Sequence, residues 1–221
     1  SLGADEVMSV WDVASGAKMQ DLACGESVQT VSVDWLSWRA LTGHSRGNLR
    51  LWDMEIGKPI NEFVSGAGPL LAMVVDWPSN SAFSVTIDGI LQLWDLDRGL
   101  LRQWAGHTEQ VTCLAVDWDA RCAITASYDH NVTLWNLDEG TAMLQLEGHS
   151  EPCFSFAVDW PRRRLLTASG DHTLLPWSLR SGERGRSLQG HSGCIWDVKA
   201  DWTRQRALSA SGDGTLRLWD L

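Results

Sequence analysis

Three sets of histidine, serine and aspartate recur along the chain: His107, Ser127 and Asp129; His149, Ser169 and Asp171; His191, Ser211 and Asp213. A histidine that takes a proton from a serine hydroxyl, held in place by a carboxylate, is the arrangement of nucleophilic acyl transfer. Such residues could also ligate a metal. Repetition argues against both. An active site needs one copy of its machinery, whereas each of these histidines stands 28 residues before a tryptophan (Trp135, Trp177, Trp219) in unchanged register. The sequence also lacks a phosphate-binding loop and a His-Glu-x-x-His run. The sets therefore read as structural, with no catalytic residue and no metal site.

Bulk properties narrow the function classes further. The 221 residues carry a formal net charge of −10, with 44% hydrophobic residues and no apolar run long enough to span a membrane. Phosphate binding needs clustered Lys and Arg, and the one basic run, Arg162-Arg163-Arg164, is too short to supply it. Nucleic acid and anionic membranes are thus excluded as partners, and an acidic surface favours basic ones. The five cysteines (Cys24, Cys113, Cys122, Cys153, Cys194) include no Cys-x-x-Cys pair, so they read as small core residues in a reducing compartment. An intracellular, cytoplasmic location is expected.

The elements that must position these residues are set by tryptophan. Trp11, Trp52, Trp94, Trp135, Trp177 and Trp219 are separated by 41 or 42 residues, and each closes a short run of alternating apolar residues. Asp12, Asp53, Asp95 and Asp220 follow four of them, with Asn136 and Ser178 after the other two. A second ladder (Asp34-Trp35, Asp76-Trp77, Asp117-Trp118, Asp159-Trp160, Asp201-Trp202) places each Trp 17 residues before the next closing Trp. Length changes therefore fall after the closing Trp, in exposed connections. A third ladder is Gly106-His107, Gly148-His149 and Gly190-His191, with Cys24 and Gly66 at the histidine position of the first two full units. Alternation of period two marks four short strands per unit, in the third full unit about 111–116, 122–126, 132–135 and 142–146. Helical periodicity is absent.

In these ladders the chain resembles the WD-repeat family over nearly its whole length. The resemblance implies an all-β fold: a β-propeller of four-stranded antiparallel blades, with four full units (24–64, 65–105, 106–147, 148–189) and two partial ones (1–23, 190–221). The whole of 1–221 is expected to be one propeller domain or a fragment of one, with 21 strands and an incomplete ring. It also implies a buried polar chain in each blade, running from His through Asp to Ser or Thr and the Trp indole. Carried over, the complete tetrads are His107, Ser127, Asp129 and Trp135; His149, Ser169, Asp171 and Trp177; His191, Ser211, Asp213 and Trp219. The second full unit keeps Thr86, Asp88 and Trp94. The first has His44 and Arg46 at the Ser and Asp positions, leaving only Trp52, so that blade should be the least rigid or bent to a special use. The Asp-Trp pairs depart from the family's usual turn. The aspartates should cap that turn, with the indoles packed beside the next blade and their N–H groups on carbonyls; alternatively, Asp117, Asp159 and Asp201 contribute to an acidic ring for a basic peptide.

Partners of the family dock on the loop before the first strand and the loop between the second and third. Here those loops offer Thr108, Glu109, Gln110, Tyr128, His130, Glu151, Pro152, His172 and the pair His44 and Arg46. Tyr128, the one tyrosine, and Arg46 are the types enriched at binding hot spots. The expected function is a protein–protein interaction scaffold without catalysis or cofactor, binding proteins or peptides, with small molecules disfavoured. The alternatives are a ligand-sensing repeat array of a larger signalling protein, and a propeller enzyme or glycan binder.

Overall fold

The computed structural model describes residues 6–221. The chain divides into two compact units, Ser1–Gly106 and His107–Leu221. Among the described residues there are 21 strands and every sheet is antiparallel; no helix is long and apolar enough to cross a membrane.

The first unit opens with the hairpin β1 (Val7–Trp11) and β2 (Lys18–Ala23). A four-stranded meander follows, made of β3 (Val28–Asp34), β4 (Arg39–His44), β5 (Leu49–Asp53) and β6 (Lys58–Phe63). The second meander is β7 (Leu70–Asp76), β8 (Ser81–Thr86), β9 (Ile90–Asp95) and β10 (Gly99–Ala105). The second unit holds β11 (Val111–Asp117), β12 (Cys122–Ser127), β13 (Val132–Asn136) and β14 (Thr141–Leu146) in one sheet. Its next sheet is β15 (Cys153–Asp159), β16 (Arg164–Ser169), β17 (Thr173–Ser178) and the two-residue β18 (Leu188–Gln189). Three strands, β19 (Ile195–Asp201), β20 (Arg206–Ser211) and β21 (Leu216–Asp220), complete it. These are β-propeller blades. β18 is short because Pro176, within β17, has no N–H to offer it: beyond the Trp177–Arg184 bridge, Gly185 bonds back to the Pro176 carbonyl and the chain loops out.

In the four-stranded sheets the second and third strands are buried on both faces, which is why the alternation is weak there; β20, in the three-stranded sheet, keeps it. Apolar side chains of one blade pack on the first three strands of the next. In the first unit Leu41, Leu49, Leu51 and Phe63 meet Leu70, Ala82 and Trp94, and Met8, Val10 and Leu22 meet Ala40 and Trp52. In the second, Ile124, Val132 and Leu134 meet Cys153, Leu165 and Trp177, and Leu166 and Leu174 meet Ile195, Val198 and Ala207. Each fully buried Leu or Ile contributes about 1.5–3 kcal/mol.

Turns repeat as faithfully as strands. The residue after the closing Trp accepts two backbone N–H bonds in the turn it begins: Asp53 from Glu55 (2.9 Å) and Ile56 (3.1 Å), Asn136 from Asp138 (2.9 Å) and Glu139 (3.1 Å). Ser178 does the same more loosely, at 3.4 and 3.3 Å. Only a short side-chain acceptor is required, which explains why Asp, Asn and Ser interchange there.

Candidate protein-interaction surface

In the second unit the polar chain forms three times, through a hydroxyl different from the one expected. Trp135 Nε1 donates to Thr125 Oγ1 at 2.7 Å, Thr125 Oγ1 lies 2.7 Å from His107 Nε2, and His107 Nδ1 is 2.9 Å from Asp129 Oδ2. In the next blade the corresponding distances are 2.8 Å (Trp177 to Thr167), 2.7 Å (Thr167 to His149) and 2.7 Å (His149 to Asp171). In the last they are 2.8 Å throughout, for Trp219, Ser209, His191 and Asp213. Ser127, Ser169 and Ser211 are thus not the linking hydroxyls. They lie on the same strand face two residues nearer the turn, about 6.6 Å further along. From there they donate to the entry-loop carbonyls of Glu109 (3.0 Å), Glu151 (2.9 Å) and Gly193 (2.9 Å). The same aspartates also hold the loops, accepting the amides of Thr108, Ser150 and Ser192.

Electrostatics follow from this. Burial pushes the Asp171 carboxyl up, yet the His149 imidazole and the Thr173 hydroxyl and amide outweigh it and hold the group down to about 2. Burial dominates at His107 and lowers it despite Asp129. The linking hydroxyls are wholly buried or nearly so, and each is engaged by an indole on one side and an imidazole on the other. They present no nucleophile to a substrate.

The first full blade is wired differently. His44 was expected on the partner face; it is instead fully buried, with Nε2 2.8 Å from Thr42 Oγ1, which accepts the Trp52 N–H at 2.8 Å. Its Nδ1 faces Glu26 Oε1 at 3.8 Å, beyond hydrogen-bond reach. Burial, then the Arg50 charge, depress His44 to about 4. Residues Gly43-His44-Ser45-Arg46-Gly47 match the spacing of a hydrolase elbow, but they form a β-hairpin turn and the histidine bonds Thr42 rather than Ser45. Arg46 is exposed in this turn. In the following blade Ser84 links Trp94 (2.9 Å) to the buried Gln92 (3.0 Å), a partner that sequence reading missed, while Thr86 caps the turn at Ile90 N.

The Asp-Trp aspartates cap their turns. Asp117 accepts the Ala120 amide at 3.1 Å, and Asp201 those of Thr203 (3.1 Å) and Arg204 (3.0 Å). Asp159 accepts the Arg162 amide (3.3 Å) and pairs with the Arg164 guanidinium at 2.9 Å. Arginines cover two of the indoles, Arg39 over Trp77 at 5.3 Å and Arg164 over Trp202 at 4.9 Å.

The loop residues Thr108, Glu109, Gln110, Tyr128, His130, Glu151 and His172 are exposed and Pro152 half-buried. His130 and His172 occupy left-handed turn positions (φ 69° each) where other repeats have Gly47, Gly89 and Gly214. Tyr128 begins a run of three rings that crosses the blades of the second unit. Its centroid is 5.8 Å from Phe154, and Phe154 is 4.8 Å from Trp196. Phe154 and Trp196 sit at the bulges that open β15 and β19, which turn their side chains out of the ladder. The space they fill exists because Gly170 and Gly212 stand where Tyr128 does: a Cβ there would meet Phe154 at 3.2 Å or Trp196 at 3.1 Å. Trp196 remains 54% exposed and Tyr128 44%. Sequence reading missed both partners of Tyr128. A signal was present, since Trp196 belongs to neither tryptophan ladder.

Residues 98–136 and 182–220 match the family WD domain, G-beta repeat. The crystal structure of the computationally designed Ika8 protein is similar over 98% of this chain and 66% of that one, with a TM-score of 0.83 and 23% sequence identity. At that identity the likeness is one of fold, and this chain spans about two thirds of that protein's length. No curated protein matches the sequence. Two stretches of the chain thus match WD repeats, and the same Trp-hydroxyl-His-Asp wiring runs through three successive blades.

Proposed function

We propose that this protein is a non-catalytic interaction scaffold whose partners dock on the loop end of the second unit. The observation that carries this reading is a division of labour. The repeated His, Asp and hydroxyl groups are engaged inside the blades, while Tyr128, His130, Glu151, His172 and Trp196 are exposed at one set of loops. Exposed aromatic residues on a rigid sheet supply large contact area at low entropic cost. The partners are proteins or peptides, and the five free thiols, three of them buried, support a reducing intracellular compartment.

A photoreactive amino acid at position 130, compared with one at position 163 in the opposite turn of the same unit, tests the reading. Polypeptide cross-links from 130, suppressed by Trp196→Ala and absent from 163, are the expected result. Equal cross-linking from both positions overturns it.

A further inference from the structure

The ring run and its surroundings carry more than a docking place. The loops on this side of the second unit (107–110, 128–131, 148–152, 170–172, 190–194 and 212–215) contain no Lys or Arg, although the unit has ten arginines. Arg164, Arg206 and Arg217 lie in β16, β20 and β21 and the other seven in the remaining turns and connections, with the Arg184 and Arg217 guanidinium groups reaching Gly148 and Gly190 at the outer ends of two loops. The loops carry exposed Glu109 and Glu151 instead. Both residues stand beside the rings. Glu109 is fixed by the Ser127 bond to its carbonyl, next to Tyr128, whose amide bonds Gln110 O at 2.9 Å. Glu151 Cβ and the Phe154 ring edge both lie within 3.3 Å of the point where a Gly170 Cβ would be. Asp197, beside Trp196, is already engaged by the Ser155 hydroxyl at 2.6 Å and by Lys199 at 2.9 Å.

We infer that this strip binds an arginine-bearing segment of a partner, with guanidinium groups laid on the Trp196 and Tyr128 rings and bonded to Glu151 and Glu109. The inference rests on the scaffold reading and names its partner chemistry. A planar guanidinium stacks on an aromatic face and offers a carboxylate two parallel N–H donors; an ammonium does neither as well. Phe154, wedged between the other two rings, fixes their spacing, so successive arginines rather than a single one match the strip.

The test uses the full chain and three dye-labelled decapeptides, alternating glycine with Arg, Lys or Glu, read by fluorescence anisotropy. Arginine is expected to bind about five- to tenfold more tightly than lysine, and glutamate not at all. Trp196→Ala is expected to abolish that preference, and Trp196→Phe to keep most of it. The double variant Glu109→Gln, Glu151→Gln is expected to weaken the arginine peptide and reduce its salt dependence. Unfolding midpoints of the variants establish that each is folded. Equal affinity for arginine and lysine, unaffected by Trp196→Ala, would reduce the effect to attraction by net charge and overturn the inference. So would no binding of the arginine peptide. If that peptide fails while position 130 still cross-links to a polypeptide, the arginine assignment is wrong and the scaffold stands; if both fail, both readings fall.

Discussion

The His44 ring occupies the linking position in the first full blade, 2.8 Å from Thr42, although it comes from β4 and not from the entry loop that delivers His107, His149 and His191. The repeat has kept the chemistry and changed the route. An indole N–H and a threonine hydroxyl buried between strands must end on some acceptor, because leaving either unpaired costs about 1–3 kcal/mol. Cys24 at the usual position cannot supply it, so β4 itself does, from two residues beyond Thr42. The blade expected to be loosest therefore has a complete Trp52-Thr42-His44 link, with its weak point at Nδ1, which faces Glu26 at 3.8 Å.

That weak point makes the blade acid-sensitive. Burial, with the Arg50 charge, holds His44 at about 4 in the folded state, against an ordinary value of 6.5. Between those limits the unfolded chain takes up a proton that the folded blade refuses, so stability is complete above about pH 6.5 and falls as pH drops toward 4. The full loss is on the order of 3 kcal/mol. Urea unfolding at pH 7 and pH 4.5 should show this loss, and His44→Gln should flatten the dependence. An unchanged slope in that variant would place the acid sensitivity elsewhere.

The two hydroxyls of each second strand should separate cleanly on mutation. Thr167→Val strands the Trp177 N–H and His149 together and should cost roughly 2–4 kcal/mol. Ser169→Ala removes one bond to the Glu151 carbonyl and one from the Asp171 amide, and should cost about 1 kcal/mol. The second variant should also loosen the loop that presents Glu151, seen as faster amide exchange at 149–151. Equal costs would mean that the linking hydroxyl has been misassigned.

The difference between these two hydroxyls marks the limit of what the sequence made legible. Tryptophan spacing defined the blades and the strand positions, because a buried indole repeats with its strand. Gly-His and the later Asp were enough to bring His107 and Asp129 together. The choice of Ser127 over Thr125 turned on two residues along one strand face, which periodicity cannot distinguish since both point the same way. Gln92 and His44 were hidden for another reason: a buried polar link can be closed from the linking strand itself or from its neighbour, and a repeat register describes only one origin. Phe154 and Trp196 escaped because their exposure depends on bulges and on the absence of a side chain at Gly170 and Gly212 across the loop.

Backbone strain at the partner loops should be separable from binding. His130 holds φ 69°, a left-handed conformation that costs a side chain with a Cβ roughly 1–2 kcal/mol. Glycine relieves it but loses more entropy on folding, by about 0.5–1 kcal/mol. His130→Gly should therefore leave stability unchanged or raise it by up to about 1 kcal/mol. On the proposed scaffold reading the imidazole serves the interface, so the same variant should weaken partner capture. Lower stability in His130→Gly would show that the imidazole supports the turn itself.

Thiol reactivity should report the packing between blades. Burial pushes the Cys24 and Cys122 thiols up, and Cys153 is pushed up by the neighbouring Cys113 thiol as well as by burial. Since the thiolate is the reacting species, these three should resist a maleimide at neutral pH until the protein unfolds. Cys113 and Cys194 are half-buried and should react in the native state, giving two modified thiols before denaturant and five after. Cys153 is the informative one, lying at the junction where Ile124 and Leu134 meet Leu165 and Trp177. Labelling of Cys153 at denaturant concentrations too low for global unfolding would mean that this junction opens on its own. Labelling only with the main transition would show that the two blades unfold as one cooperative body.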